Sequence, residues 1–520
     1  VSTPVEEPRY SIVTPVYNPP VRALQDMIDS VLGQRDGRWE LLLVDDASPD
    51  PQIRAVLSAA AASDPRIRVI ERTENGGIVA ASNDAVDAAR GEYLALLDHD
   101  DLLAPNALQR VSETIGSHDD VDYLYTDEDK VDEAGNPYDR FDKPDWSPER
   151  LRGQMYTGHL SVLRTSLVRE VGGFDPECEG SQDHDLVLRV TERARHILHL
   201  PEVLYHWRAV PGSTAAAADN KTYAWDAGVR AVQNHVDRVG IRAEVGHGPV
   251  PGTYAIDRVP ELDRSVSVII PTRGSSGEVF GHERVFVVEA VRSLVAGTQH
   301  RDLEIVVVYD ADTPPEVMAE LHEIAGDRLT PVLFERPFNF SAKCNEGYFA
   351  SRGEILLFLN DDVETVSEEM VGDLIAPLSE PDVGMTGAML YFEDGTIQHA
   401  GHLHHQGAFG HAYFGESPDA YGSFSSLLIN REVSGLTAAC IAMPREVFEL
   451  VGGFSEAFPG NFNDVDLSIK VRTFDYRLVW LKDVRLYHFE SRTRNPVIYS
   501  HEERAILNRW GAPRRDRYLF

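Results

Sequence analysis

The stretch EYLALLDHDD, residues 92–101, decides how the chain is read. An apolar run of strand length, Tyr93 to Leu97, ends in Asp98, His99, Asp100 and Asp101. A strand that apolar is expected to be buried on both faces, in a parallel sheet covered by helices. Acids at its carboxyl end then fall at the rim of the sheet, where open α/β folds bind ligands. Crowded carboxylates repel one another unless a hard cation sits among them. Mg²⁺ or Mn²⁺ held by one or two carboxylates and substrate phosphates fits. A solvated acidic turn is the plainer reading of the stretch alone.

The stretch has a counterpart. GEILLFLNDDVE, residues 353–364, repeats the glycine, the acid and the apolar run, then ends in Asn360, Asp361 and Asp362. Self-similarity over such a distance points to a duplicated architecture.

Outward from residues 92–101, the same grammar continues. RYSIVTPVYN, residues 9–18, is a short β-rich run cut by Pro15. Residues 21–32 have helical spacing, with Leu24, Met27, Ile28 and Val31 on one side. ELLLVDDASPD supplies a second strand with Asp45 and Asp46 at its end. A helix over 51–63, a strand over 67–70, the turn Asn75–Gly77 and a helix over 79–89 follow. Strands alternating with helices of this length predict βαβ units and a mostly parallel, nucleotide-binding-like sheet.

Bulk properties bound the answer. A chain of 520 residues is expected to hold two or three domains. Its net charge of −35 argues against nonspecific nucleic-acid binding and against general attraction to anionic membrane. Cys178, Cys344 and Cys440 are far apart and form no CxxC pair, which fits a reducing cytosol. No apolar run approaches the ~20 residues of a membrane span, and the polar opening VSTPVEEPRY shows no signal peptide. A cytoplasmic chain is expected, with membrane contact peripheral at most.

In order, SIVTPVYN, VDDAS, NGG and LLDHDD resemble the family 2 glycosyltransferases of GT-A fold, inverting enzymes that use nucleotide-diphosphate sugars. YTDEDK, KPDWSP, GHLSVLR, GGFD, SQDHDLVLRV and LYHWR continue in the order of bacterial surface-polysaccharide transferases, of O-antigen or capsule type. The resemblance implies roles. Pro15 lies on the first strand of the donor site. Asp45 and Asp46 hold base and ribose, and Asp98 and Asp100 form the DXD motif, with Asp100 the direct metal ligand. Asp183 is the general base, and Asp185 is a candidate N-terminal cap for a helix over 186–191. His206 completes the metal site or is simply hydrogen-bonded after a strand. Trp146 and Trp207 wall the acceptor site or pack. Asp127, Glu128 and Asp129 support the site, with Lys130 and Lys143 as their partners.

The motifs pause after Arg208. A small-residue turn over 210–220, a helix over 222–239 and the linker GHGPVPG lead to a boundary near Pro260. SVSVIIPTRG then matches the first strand, with Pro271 for Pro15. EIVVVYDAD places Tyr309 and Asp310 where Asp45 and Asp46 stand. Asn345 matches Asn83, Asn360 matches Asp98, and Asp362 matches Asp100 as metal ligand beside Asp361. Asp464 matches Asp183, and His488 matches His206. The expected organisation is therefore α/β, with two GT-A domains in tandem. The first spans 1–210, a connector 211–260, the second domain 261–500, and a C-terminal helix and basic tail 501–520.

The second copy departs from the first in two ways. Tyr309 can stack on a base, and Asn360 is a weaker ligand for a hard ion than a carboxylate. It also carries the insertion IQHAGHLHHQGAFGHAYFG, whose spacing is no recognised zinc pattern and reads as a loop lining an acceptor-sugar site or as a plain surface loop. The resulting expectation is a dual-domain inverting transferase. It would use Mn²⁺ or Mg²⁺ and a nucleotide-diphosphate sugar, most often a UDP-sugar in this family. The acceptor would be a glycan or lipid-linked glycan. The alternative is one catalytic copy and one copy that only binds sugar or donor.

Overall fold

The computed structural model describes residues 7–132, 135–208, 222–489 and 499–519. The small-residue turn over 210–220 lies outside them. The chain divides into two compact units, one of residues 1–147 and 151–256, the other of residues 148–150 and 257–520.

The first unit opens with β1 (Tyr10–Val16), α1 (Val21–Leu32), β2 (Trp39–Asp45), α2 (Pro51–Ser63), β3 (Ile67–Glu71) and α3 (Gly77–Ala88). Then come β4 (Tyr93–Leu96), β5 (Leu102–Leu103), α4 (Ala107–Gly116), β6 (Val121–Val131) and β7 (Pro137–Phe141). The rest is α5 (Pro148–Gly153), β8 (Ser161–Arg164), α6 (Thr165–Glu170), α7 (Gln182–Thr191), β9 (His196–Arg208), α8 (Thr222–Val239), β10 (Ala243–His247) and β11 (Tyr254–Arg258). Local chemistry sets several boundaries. Asp50 caps α2 by accepting from Gln52 N at 2.9 Å, and Pro51 occupies the first turn, where its missing N–H costs nothing.

The main sheet runs β3-β2-β1-β4-β8-β6-β9-β5, with β7 beside β6. It is mixed rather than mostly parallel. β3, β2, β1 and β4 are parallel, but β8 runs antiparallel to both β4 and β6. The sequence pattern failed here because any strand covered by helices on both faces is apolar throughout, whichever way its neighbour runs. Alternation explains the coverage. Ile12, Leu41, Leu43 and Ala95 pack with α1 and α2 on one face, while Val13, Leu42, Val44 and Leu94 pack with α3 and α7 on the other.

The second unit has β12 (Val266–Thr272), β13 (Ser276–Val279), β14 (His282–Val285), α9 (Phe286–Ala296), β15 (Leu303–Asp310), α10 (Pro315–Ala325) and β16 (Leu329–Phe334). It continues with α11 (Phe340–Ala350), β17 (Ile355–Leu359), β18 (Val363–Thr365), α12 (Met370–Ile375), β19 (Val383–Tyr391) and β20 (Ile397–His399). β21 (His402–His405), β22 (Ala408–His411), β23 (Arg431–Glu432), β24 (Cys440–Pro444), α13 (Arg445–Leu450), α14 (Asn463–Thr473), β25 (Arg477–His488) and α15 (Ser500–Trp510) complete it. Its sheet order, β16-β15-β12-β17-β24-β19-β25-β18, reproduces that of the first unit strand for strand. The C-terminal helix packs on this unit, with Ile506 against Phe458 and Val465 and with Trp510 Nε1 donating to Asp466 at 2.8 Å.

Two buried devices recur in both units. Ser11 donates to Glu40 at 2.7 Å and accepts from Gly91 N at 2.9 Å. Ser267 does the same with Glu304 and Gly353, at 2.6 and 2.8 Å. A Cβ on Gly91 or Gly353 would meet the neighbouring strand's backbone at 2.6 or 2.5 Å, which explains the glycine that opens each repeat. The second device is an asparagine splint. Asn83 donates to Phe174 O at 2.9 Å and accepts from Phe174 N at 2.8 Å, and Asn345 makes the same pair with Phe454 at 3.0 and 3.1 Å. Each splint fixes the GGF turn that leads into α7 or α14. Among the described residues, no helix is long and apolar enough to cross a membrane.

Candidate active sites

In the first unit the carboxyl ends of β1 and β2 lie side by side. Pro15 and Val16 lie beside Val44 and Asp45 in the β1–β2 register. Asp45 accepts from Ser48 N at 3.0 Å, a short turn that closes the strand end. Asp46 accepts from Gly76 N and Gly77 N, both at 2.9 Å, and pairs with Arg72 at 3.0 Å. Asp46 therefore organises the NGG turn, and Asp45 is the freer acid.

The acidic turn after β4 splits by environment. Asp98 is exposed, whereas Asp101 is buried, accepting from Tyr205 Oη at 2.6 Å and from Arg208 N at 2.7 Å. Burial and the neighbouring Asp98 push the Asp101 carboxyl up to about 7. Burial also raises Asp100. His99 is held by a contact of 3.1 Å to Pro15 O. His159 stands over the turn, stacked on Tyr205 at 4.6 Å, with Nε2 3.9 Å from Asp98 and Nδ1 3.4 Å from Glu128. Burial opposes its charge, but Glu128, Asp98 and Asp101 overcome that and raise it to about 9.

Asp183 sits in the first turn of α7 and faces the same turn. Burial and the charge of Asp98 push its carboxyl up to about 6. Asp185 is not the cap: α7 begins at Gln182, so Asp185 lies inside the first turn, buried and paired with Arg189. The imidazole at the acidic turn is also not the expected one. His206 Nδ1 contacts Asp129 at 2.6 Å, because β9 lies parallel to β6 with His206 directly opposite Asp129. His159 takes the position by the acids instead. Lys143 pairs with Glu128 at 2.9 Å as expected, but Lys130 pairs with Asp139 across the β6–β7 hairpin.

In the second unit Thr272 lies beside Tyr309, so Tyr309 and Asp310 fall where Asp45 and Asp46 fall in the first. Asp310 is held by Lys343 at 2.6 Å, a buried lysine that also donates to Thr272 O at 2.8 Å. Asp361 accepts from Thr272 Oγ1 at 2.7 Å, and burial with the adjacent Asp362 raises it to about 7. His488 Nε2 lies 3.2 Å from Asp362 and 3.1 Å from Asn360, while its Nδ1 contacts Gln398 Oε1 at 2.6 Å. That second contact fixes the tautomer, with a proton on Nδ1 and Nε2 turned to the acids. Asn360 Oδ1 is buried without a hydrogen-bond partner. An orphan amide oxygen, a carboxylate and an oriented imidazole together fit a divalent cation.

Strand pairing revises one correspondence. Leu102 pairs with His206 and Val363 with His488, so counted from the histidine Asp362 matches Asp101. Counted from the apolar strand it matches Asp100. The turn is one residue shorter in the second copy.

Asp464 lies in the first turn of α14, as Asp183 does in α7. It accepts from Val465 N at 2.8 Å, and His402 Nε2 is 3.7 Å away. Burial works to raise its carboxyl, but His402 and His411 outweigh that and lower it. A cavity of about 480 Å³ opens onto this carboxylate, lined by Asn360, Asp362, His402, His411, Asp464 and His488 among others. The insertion is thus no loose loop. It forms the β21–β22 hairpin and helps wall this cavity.

Sequence reasoning missed His159, Lys343 and Gln398. His159 lies within a motif already recognised, but nothing in its spacing ties it to residues 98–101. The available signal for Lys343 was a lysine between Ala342 and Cys344, both buried residues of α11.

The pattern of Glycosyl transferase family 2 matches residues 11–172 and 267–452. A Sinorhizobium fredii protein, "Uncharacterized protein y4gI", is 43% identical over 94% of this chain and 54% of its own length. The Myxococcus xanthus "O-antigen biosynthesis protein RfbC" is 34% identical over 98% of this chain and 40% of its own. The chain therefore spans about half or less of the length of these relatives. A structure of S. aureus TarS 1-349 in complex with UDP-GlcNAc covers 44% of this chain and 66% of its own, with 19% identity and a TM-score of 0.37.

Proposed function

The chain belongs to glycosyl transferase family 2, in two consecutive copies of its GT-A fold, and from that premise we propose that both copies are inverting glycosyltransferases building a bacterial surface glycan. The donor would be a nucleotide-diphosphate sugar, a UDP-sugar first among candidates. The acceptor would be a glycan or lipid-linked glycan. Work at the cytoplasmic face of the membrane, through peripheral contact, fits this substrate class.

One observation carries the reading. Asp183 and Asp464 occupy the same helical turn in two units of identical strand order, Asp183 near Asp98 of the acidic strand end and Asp464 on a cavity that Asp362 also lines. A carboxylate there takes the proton of an acceptor hydroxyl. The oxygen bonds to the anomeric carbon as the bond to the diphosphate breaks on the opposite face, and configuration inverts. Asp45 and Tyr309 lie where the base would sit, and Asp46 and Asp310 shape the turns beneath it.

In the second site Asn360, Asp362 and His488 would hold Mn²⁺ or Mg²⁺. In the first, Asp98 and Asp100 are the candidates, with Asp101 and His159 beside them. The ion, when bound, offsets charge on the leaving diphosphate.

A second reading has one specific basis. Asn360 and Tyr309 replace acids, which suits a second copy that binds without turnover. The discriminating experiment is transfer across a donor panel with Mn²⁺, comparing wild type with Asp183→Asn and Asp464→Asn. Each variant should lose a different donor or linkage by ~10²–10⁴-fold. If Asp464→Asn changes nothing and Asp183→Asn abolishes all transfer, the second copy is a binding module.

A further inference from the structure

The insertion of the second unit carries chemistry that the transferase reading does not use. In the β21–β22 hairpin His402 lies directly opposite His411, so the two imidazoles are cross-strand neighbours. His399, at the end of β20, joins them. One ring nitrogen from each of the three comes within 4.8 Å of the others, and His399 and His402 are buried.

The rings form a near-equilateral pinwheel. Their centroids are 4.9, 5.1 and 5.2 Å apart, and the ring planes meet at 79° to 84°. An ion bound by imidazole at ~2.0–2.1 Å lies ~3.2 Å from each ring centre, so three tetrahedral ligands place ring centres ~5.2 Å apart. The observed triangle has that size. Burial holds His399 and His402 below their ordinary values, which keeps them neutral, the form that ligates. His402 Nδ1 is buried without a hydrogen-bond partner, and His402 and His411 both reach the cavity.

We propose that His399, His402 and His411 form a tris-imidazole site for a transition-metal ion, with Zn²⁺ the ion this donor set suits. Its open side faces the cavity, where Asp464 stands beside His402. The site shares no ligand with the hard-ion position at Asn360, Asp362 and His488. His399 Nδ1 lies 2.7 Å from His411 Nδ1, and Thr437 N donates to His399 Nε2 at 3.3 Å, which leaves the proton on His399 Nδ1. The ion takes the place of that proton between the two nitrogens, and ligation through His399 Nδ1 moves the ring proton to Nε2 and gives up the long Thr437 contact. The ion ties β20 to the hairpin and fixes the cavity wall next to Asp464.

The test uses the full chain, expressed without a histidine tag and loaded with Zn²⁺, then with Co²⁺, after chelation and desalting. The wild type should retain one zinc per chain, and the Co²⁺ form should show the intense visible bands of a four-coordinate site. His402→Ala and His411→Gln should each lose the zinc and the bands, whereas Asp362→Asn should keep both. If the variants fail to fold, the wild-type Co²⁺ spectrum and a zinc-dependent rise in its melting temperature decide the matter. Wild type holding no more zinc than the variants, or a wild-type Co²⁺ spectrum without those bands, overturns the proposal and leaves a purely hydrogen-bonded histidine cluster. None of these readouts requires glycosyl transfer, so failure of this site and failure of the transferase reading are distinguishable.

Discussion

At the scale of single residues, the two carboxylates proposed as bases sit in opposite electrostatic settings. Asp183 faces Asp98 and is raised to about 6, while Asp464 faces imidazoles and is lowered. A base acts only when ionised. First-site transfer, isolated in Asp464→Asn, should therefore rise with pH through about 6, with about a tenth of Asp183 ionised at pH 5. Second-site transfer, isolated in Asp183→Asn, should persist to lower pH. Coincident pH–rate profiles would show that these surroundings do not govern the bases. The helices that carry Asp183 and Asp464 were legible because each follows a GGF turn, with Asp183 nine residues after Phe174 in one copy and Asp464 ten after Phe454 in the other. The partner of Asp98 was not: His159 is remote in sequence, and only the antiparallel pairing of β8 with β4 brings its segment to the acidic turn. His206 shows the second of its two sequence readings, a hydrogen-bonded histidine, since strand register sets it against Asp129.

At the scale of elements, the asparagine splints join a helix to a turn far along the chain. Asn83 spans 91 positions to Phe174 and Asn345 spans 109 to Phe454, each satisfying one backbone N–H and one carbonyl. Alanine at either position leaves both groups unpaired in partly buried surroundings. Asn83→Ala and Asn345→Ala should each destabilise by about 1–3 kcal/mol, read as a lower denaturant midpoint. A loss well under that range would mean that water replaces the amide. Helices and strands were largely legible from periodicity, and α1 and α2 begin and end where their apolar spacing places them. Strand direction was not legible, because nothing in the short runs of β8 and β24 records that each is antiparallel to both its neighbours. The hairpin of the insertion was hidden too. His402 and His411 are nine positions apart, a spacing that becomes a contact only once two strands fold back.

At the scale of the whole molecule, two active copies on one chain, as proposed, would be linked by covalent tethering. A product released from one site meets the other at a raised effective concentration. Mixing Asp183→Asn with Asp464→Asn should restore both linkages in the product pool but yield shorter chains than an equal amount of wild type. Equal chain lengths would mean that the growing end exchanges freely through solution and that tethering adds nothing. The duplication was legible because glycine, acid, apolar run and acidic end recur in order. The unequal turns at Asp100 and Asp362 were not, since a one-residue difference leaves the motif recognisable while shifting which acid faces the histidine.

The splints also bear on ancestry. They secure the turn before each catalytic helix through backbone atoms of Phe174 and Phe454 alone, so their strength is indifferent to what the helix or its facing hairpin carries. After a gene doubles, a scaffold anchored in that way lets one descendant acquire new cavity walls without renegotiating its folding. The histidine hairpin, present in one half and absent from the other, is the kind of divergence such an anchor permits.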